Sequence, residues 1–229
     1  MTISSRQNDW FKRLRAAIRE HAEEIVIEGP KPVADAIAAG WTPIKVFTRD
    51  VDFTTGLFDA LSETKSPQSV IGLFHRPHAS LEQLFARDTS IVIALDGVQD
   101  PGNVGTIVRL AAAFDANGVV LLPGCADPFS PKAIRASAGA ILTVPVVSAM
   151  VEELSARGWP IVAADARGEI SDPPARHAVL AFGSEGSGLS PSLARVARTI
   201  AIGMAPRVES LNVASSAAIL LARSYARRS

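Results

Sequence analysis

The stretch DPGNVGTIVR, residues 100–109, decides the fold class of this chain. It places Asn103 and Arg109 six residues apart across a glycine-rich turn that opens a helix. The apolar run IVIAL before it, residues 91–95, predicts a buried strand, and the alanines and leucine after it favour a helix. α/β proteins build ligand sites from a strand, a tight loop and a helix in this order. The segment therefore predicts an α/β fold with a ligand site at this loop.

The composition limits the class of protein. A chain of 229 residues with 48% hydrophobic residues suits one or two globular domains. No apolar run reaches the roughly 18 residues that a membrane helix needs, and residues 1–15 lack the apolar stretch of a secretory signal. Cys125 is the single cysteine, which leaves neither a disulfide framework nor a cysteine-rich zinc site. These observations predict a cytoplasmic protein with no membrane span.

The alternation of apolar runs and helical patterns predicts two domains. A small α/β domain is expected over residues 1–75, a linker over residues 76–88, and a second domain over residues 89–229, where strands separated by helices favour a mostly parallel sheet covered on both faces. The predicted strands are 24–28, 44–47, 70–74, 91–95, 119–122, 143–146, 161–164, 178–182 and 199–202. The predicted helices are 9–23, 31–39, 55–62, 106–116, 131–138, 149–157, a short one after Pro191, and 210–226.

Common catalytic signatures are absent from the sequence. The glycines of GSEGSG, residues 183–188, lack the third glycine of a dinucleotide-binding fingerprint, and no phosphate-binding loop or nucleophile elbow occurs. The histidines form no i, i+4 pair, and the pair His75 and His78 spans a proline near the linker. The sequence therefore predicts no metal site.

Two polar residues of the first segment admit more than one interpretation. Asn103 suits a binding role, but asparagine also tolerates turns and caps helices. Arg109 stands among apolar helix residues, so its guanidinium is expected close to a buried surface, where a charge needs an anionic partner. That partner is either a ligand or a structural salt bridge.

Two further segments combine glycines or small residues with polar ones. In FGSEGSGLS, residues 182–190, the glycines suit a loop wrapped closely around a flat ligand, and Glu185 is placed either to cap the next helix or to pair with Arg109. In ESLNVASSAAILL, residues 209–221, Ser210 is a candidate helix N-cap with Asn212 in the first turn. By itself the last segment also describes a well-capped core helix.

In order and spacing the three segments resemble the signature motifs of the SpoU (TrmH-type) branch of the SPOUT methyltransferases, over residues 90–225. The resemblance implies transfer of a methyl group from S-adenosylmethionine to a ribose 2′-hydroxyl of RNA. It also implies a trefoil knot in the C-terminal part of the parallel sheet domain, which topology alone makes improbable. The phrase IVIEGPKPVADAIAAG, residues 25–40, resembles the small ribosomal-protein-like RNA-binding domain that precedes the catalytic domain in many SpoU proteins.

The resemblance also assigns the site residues. It implies that the reacting ribose lies near Asn103, Arg109, Glu185, Ser210 and Asn212, and that the cofactor contacts Gly183, Ile202 and Leu211. Many relatives carry a proline where this chain has Gly203, which loosens the loop after Ile202. Two roles stay open for Arg109: a general base, or an electrostatic stabiliser of the developing alkoxide or of a neighbouring phosphate.

Charge is compatible with an RNA substrate without indicating one. Residues 1–130 hold 12 Lys+Arg against 16 Asp+Glu, and residues 131–229 hold 11 against 7, so the basic excess lies in the part with the second and third motifs. Ordinary surface charge explains this excess of basic residues equally well.

The expected substrate is large-subunit ribosomal RNA, with a guanosine as the favoured nucleoside. Transfer RNA, or an RNA-binding relative without catalysis, are the alternatives. A homodimer is expected, packed through the knotted region and a C-terminal helix stripe of Ala214, Ala217, Ala218 and Leu221.

Overall fold

A computed structural model describes residues 2–62, 66–87 and 90–228 of the chain. It divides the chain into two compact units. Unit 1 comprises Met1–Pro77 with Phe129–Arg135, and unit 2 comprises His78–Pro128 with Ala136–Ser229. The predicted boundary between Asp88 and Thr89 lies outside the described residues.

Unit 1 is a small α/β layer built on an antiparallel sheet. Its elements are α1 (Asp9–Glu20), β1 (Glu24–Glu28), α2 (Pro30–Ala38), β2 (Pro43–Thr48), α3 (Thr55–Asp59) and β3 (Val70–His75). β3 lies between β1 and β2 and pairs antiparallel with both. The Asn8 side chain caps α1, which packs its apolar face on the sheet through Phe11, Leu14 and Ala17. These six elements confirm the predicted order, with end points that differ by a few residues.

Unit 2 is a parallel sheet with helices. Its elements are α4 (Leu81–Phe85), β4 (Ile91–Asp96), α5 (Pro101–Ala113), β5 (Gly118–Leu121), β6 (Val146–Ser148), α7 (Val151–Ser155), β7 (Ile161–Ile170), β8 (Ala178–Gly183), α8 (Pro191–Ala194), β9 (Arg198–Ala201) and α9 (Val213–Ala226). Helix α6 (Pro131–Ala136) falls mostly in unit 1. The strand order is β6-β5-β4-β8-β7-β9, and every pairing is parallel, which confirms the predicted parallel α/β sheet.

The structure divides the chain differently from the sequence-based prediction in two places. The segment expected as a linker, residues 76–88, contains α4, which buries Leu81 and Leu84 in the core of unit 2. The segment Phe129–Arg135 belongs to unit 1 because Phe129 packs edge-on against Trp41, with ring centroids 6.1 Å apart. Neither feature is visible in local composition, since a five-residue helix and a single aromatic contact leave little pattern.

Several predicted element ends are wrong, and side-chain capping explains the start of α5. Helix α5 begins at Pro101 instead of residue 106, because the Asp100 side chain caps it by accepting a 3.0 Å hydrogen bond from the Gly102 N–H. Asn103 therefore lies in the first helical turn. Strand β6 covers Val146–Ser148, not residues 143–146, and β7 runs on to Ile170. None of the helices in the described parts of the chain combines the length and apolar character needed to cross a membrane.

Candidate active site

The carboxyl ends of β8 and β9, together with residues 164–167 in the middle of β7, border a cavity of about 360 Å³ in unit 2. Parallel strands bring their carboxyl ends to one edge of a sheet, which is where α/β proteins bind ligands. The lining includes all three residues that the resemblance assigned to the cofactor: Gly183, Ile202 and Leu211. Its apolar part is completed by Phe182, Ile200, Met204 and Val213, and its polar part includes Asp165, Arg167, Glu185 and Ser210.

Residue 183 must be glycine in this arrangement. A Cβ there would lie 2.5 Å from the carbonyl carbon and oxygen of Gly188 and 2.8 Å from the Leu189 nitrogen, far inside van der Waals contact. The loop closes on itself because Ser184 and Gly188 exchange two backbone hydrogen bonds of 3.0 Å each. The loop of residues 184–188 is therefore folded tightly back toward the end of β8, as expected for a loop around a flat ligand.

The three sequence motifs meet at the Glu185 carboxylate. Its Oε1 accepts hydrogen bonds from Asn103 Nδ2 at 2.6 Å and from Asn212 Nδ2 at 2.7 Å. Asn212 Nδ2 also lies 3.3 Å from Asn103 Oδ1. Glu185 thus pairs with two asparagine amides and not with Arg109 or with the next helix, which Ser190 caps. We call this hydrogen-bonded set of Asn103, Glu185 and Asn212 the amide–carboxylate triad.

The predicted N-cap of the last helix is wrong by two residues. Helix α9 begins at Val213, and Asn212 caps it by accepting hydrogen bonds from the Ala214 and Ser215 N–H groups at 3.0 and 3.3 Å. The oxygen of the Asn212 amide is therefore used by the helix, and its nitrogen is used by the triad. Ser210 precedes the helix, is exposed and lines the cavity.

Arg109 is exposed, and the expectation that it lies at a buried surface is wrong. Among the described residues it makes no hydrogen bond or ion pair, and it does not line the cavity. The helical period explains this, because Val104, Ile107, Val108 and Ala111 form the buried face of α5 and residue 109 falls outside it. Its guanidinium is therefore available to an anionic group other than those of the described residues.

Sequence reasoning missed two acidic residues near the cavity. Asp96, at the end of β4, is 4% exposed and accepts a 2.6 Å hydrogen bond from the Ser190 N–H, which holds the far end of the glycine loop. Asp165 lines the cavity and receives two hydrogen bonds from the Arg167 guanidinium at 2.8 and 3.0 Å, which lower the pKa of its carboxyl group. Both acids directly follow apolar strand runs, the signal that would have indicated them.

Asp165 and Arg167 reach the cavity because β7 is irregular. Ala164 and Glu169 both pair with Ile200 of β9, so residues 165–168 are looped out of the ladder at the cavity. Gly168 permits this, since a Cβ there would lie 2.8 Å from the Ile200 nitrogen.

The cavity fits a cofactor with a flat heterocycle and a polar tail. Phe182, Ile200 and Val213 are almost fully buried beneath it, and Gly183, Gly186 and Gly188 contribute backbone to its wall. Within residues 2–62, 66–87 and 90–228, no three His, Cys, Asp or Glu side chains gather closely enough to hold a metal ion.

Comparison with known proteins identifies the family. The model of the SpoU rRNA Methylase family matches residues 90–222. The chain is 31% identical over 237 residues to the 23S rRNA (guanosine(2553)-2′-O)-methyltransferase RlmP of Bacillus subtilis, with 93% of each protein covered. It is 39% identical over 263 residues to an uncharacterized tRNA/rRNA methyltransferase of Synechocystis, with 96% of this chain and 92% of that protein covered. The AdoMet-bound rRNA methyltransferase from Sinorhizobium meliloti superposes with a TM-score of 0.89 at 28% identity, covering 99% of this chain and 98% of that one. The chain belongs to the SpoU rRNA methylase family.

Proposed function

We propose that this protein is an enzyme that transfers the methyl group of S-adenosylmethionine to a ribose 2′-hydroxyl of ribosomal RNA. The observation that carries the proposal is the amide–carboxylate triad, which joins all three family motifs at the rim of a cavity with a glycine-lined wall. The relative from Bacillus subtilis, named as acting on a guanosine of 23S rRNA, supports large-subunit RNA and a guanosine.

The cavity residues divide into a cofactor wall and a reactive rim. Gly183, Ile202 and Leu211 would hold S-adenosylmethionine, with apolar side chains against its adenosine and backbone groups of the glycine loop within reach. When bound, this cofactor supplies an electrophilic methyl group on a sulfonium centre. The protein must then position the ribose oxygen for in-line attack and assist the loss of its proton.

The triad and Ser210 are suited to positioning the ribose. Because one carboxylate oxygen accepts both amide hydrogen bonds, the side chains of Asn103 and Asn212 are held in fixed orientations before RNA arrives. The Asn103 amide keeps a further N–H for a substrate oxygen, since Glu185 needs only one of its two hydrogens, whereas Asn212 uses its two on Glu185 and Asn103. The exposed Ser210 hydroxyl can donate or accept at the same rim.

Arg109 is suited to electrostatic stabilisation. A guanidinium stays protonated in proteins, and at Arg109 no carboxylate of the described chain neutralises it. It can therefore stabilise the negative charge that develops on the ribose oxygen, or the negative charge of a neighbouring phosphate. We assign it this role in preference to that of a general base, which would require the guanidinium to lose a proton.

We also propose that the enzyme is a homodimer. The expected stripe on α9 does not support it, because Ala214, Ala217 and Leu221 are buried within their own unit. Support comes instead from the outward faces of α5 and α9, two helices that contact each other. Helix α5 exposes Ala112 and Ala113 near Arg109, and α9 exposes Ala222 and Tyr225. Light scattering at micromolar concentration should give about twice the chain mass of 24.1 kDa. A fully active monomer would contradict this proposal.

The proposed activity is tested with purified protein and radiolabelled S-adenosylmethionine. Unmodified large-subunit ribosomal RNA, small-subunit ribosomal RNA and transfer RNA are supplied separately, and mass spectrometry of nuclease digests locates any 2′-O-methyl nucleoside. We expect label only in large-subunit RNA, at one nucleoside. Label in transfer RNA alone would overturn the choice of RNA. Cofactor binding without transfer to any RNA would identify a non-catalytic relative.

A further inference from the structure

Helix α1 of unit 1 carries a row of cations that no carboxylate of the described residues neutralises. Lys12, Arg15 and Arg19 recur at the spacing that places side chains on one helix face, and Arg6 precedes the helix. Arg6, Lys12 and Arg19 are exposed and Arg15 is half-buried. In the part of the chain that the structure describes, these four side chains make no ion pair or side-chain hydrogen bond.

The neighbouring cation on the same helix behaves differently. Arg13 points to another side of α1, where its guanidinium forms an ion pair with Glu24 of β1. That pair raises the pKa of Arg13 and lowers the pKa of Glu24. Helix α1 therefore has one neutralised cation toward the sheet and a separate row of free ones, so the free row is not a general property of its composition.

The free cations line a common surface groove. It has a volume of about 300 Å³ and is lined by Arg6, Phe11, Lys12, Arg15, Ala16, Arg19 and Glu20; we call it the α1 groove. Four cations face a single carboxylate there, although residues 1–130 hold more acidic than basic residues overall. Like charges held on one helix face repel each other, and an anion in the groove relieves that repulsion.

We propose that the α1 groove binds phosphates of the RNA substrate, a contact that rests on the proposed RNA methyl transfer and extends it to unit 1. Lys12 and Arg19 lie seven residues apart, a rise of about 10 Å along the helix, which is longer than the distance between neighbouring phosphates of one strand, so the row can contact more than one phosphate. Lysine and arginine are the usual phosphate ligands. Phe11, the aromatic residue of the groove, is 3% exposed and cannot stack on a base. The contact is therefore with the backbone and positions the RNA without reading its sequence.

The test is the salt dependence of RNA binding by a triple variant, Lys12→Gln, Arg15→Gln and Arg19→Gln. Glutamine has nearly the helix propensity of lysine and arginine, so α1 should stay folded, which circular dichroism checks. The matched control is Arg13→Gln with Glu24→Gln, which removes charges from the same helix and its partner strand without changing net charge. A second control, Glu20→Gln, removes the single carboxylate of the groove.

We expect the triple variant to bind a large-subunit RNA fragment roughly tenfold or more weakly at low salt. The slope of log Kd against log salt concentration should fall by about 2, because each lost phosphate contact removes about 0.7 to 0.9. The Arg13 and Glu24 control should keep the wild-type slope, and Glu20→Gln should bind more tightly. An unchanged slope in the triple variant would overturn the proposal, and would leave this face to a partner other than RNA.

A second measurement separates this proposal from the proposed function. At saturating RNA the triple variant should methylate with a kcat within about twofold of wild type, and its affinity for S-adenosylmethionine should not change. If wild-type protein methylates RNA and the triple variant keeps both slope and KM, the groove proposal alone fails. If wild-type protein binds RNA with the expected slope but transfers no methyl group, the proposed activity fails and the groove assignment stands.

Discussion

Replacing Gly183 with alanine should weaken S-adenosylmethionine binding far more than the same replacement at Gly186. The added Cβ at residue 183 would lie 2.5 Å from the Gly188 carbonyl group, where ordinary contacts begin at about 3.4 Å, so the loop must move by about 1 Å. That movement strains the two 3.0 Å backbone hydrogen bonds between Ser184 and Gly188. Losing them costs about 0.5–1.5 kcal/mol each, or about 1–3 kcal/mol together. Since every 1.4 kcal/mol is about tenfold in affinity, we expect the cofactor Kd to rise between about fivefold and 10²-fold.

Gly186→Ala is the matched control for this replacement. Gly186 lies in the same loop and lines the same cavity, but a Cβ there meets nothing within 4 Å. Gly186→Ala should therefore bind the cofactor within a few fold of wild type. Isothermal titration calorimetry measures both affinities, and thermal unfolding should show a Tm loss of roughly 2–10 °C for Gly183→Ala only. Equal affinities for the two variants would refute the close approach of residue 183 to the loop.

Three further predictions concern single side chains. Arg109→Ala should abolish methyl transfer and leave the cofactor Kd within a few fold of wild type, because Arg109 is outside the cavity lining. A comparable loss of cofactor binding would contradict this separation of catalysis from cofactor binding. Arg109→Lys should keep some activity if the role of Arg109 is electrostatic. Glu185→Ala should lower kcat by roughly tenfold or more. Glu185→Gln should keep most of the wild-type kcat, since a glutamine oxygen can accept both amide hydrogen bonds. A glutamine variant as inactive as the alanine variant would show that methyl transfer requires the negative charge of Glu185. Burial raises the pKa of the Cys125 thiol, so iodoacetamide at pH 8 should alkylate the folded chain more slowly than the urea-unfolded chain, and equal rates would place the thiol in solvent.

The order and type of the elements could be predicted because the strands of unit 2 are continuous apolar runs. β4 is buried along its whole length, so its six residues carry one uninterrupted signal. The helix starts could not be predicted as well, because single side chains decide them. Asp100 and Asn212 cap α5 and α9, yet each stands beside another plausible cap in the sequence. The knot and the kinship of unit 1 with ribosomal proteins stay predictions.

The roles of the site residues could be predicted only through the family resemblance. The contacts between these residues could not be predicted even with it. Glu185 meets Asn103 because β8 lies directly beside β4 in the sheet, with Gly183 opposite Asp96, although the two strands are far apart along the chain. Strand order of this kind is a property of the whole fold. The burial of Arg109 was predicted wrongly for a different reason. Its neighbours in sequence are apolar, but the helical period places Arg109 on the outward face of α5 with Ala112 and Ala113.

The hydrogen bonding of Glu185 links the cofactor wall to the reactive rim. The residue belongs to the loop that closes against Gly183, and its Oε1 holds both asparagine amides. A shift of the loop must therefore move Asn103 and Asn212 relative to their helices, or break the bonds that orient them. It follows that Gly183→Ala should lower kcat at saturating cofactor as well as cofactor affinity, whereas Arg109→Ala should lower kcat alone. A Gly183→Ala enzyme with wild-type kcat at saturating cofactor would show that the triad keeps its geometry independently of the loop.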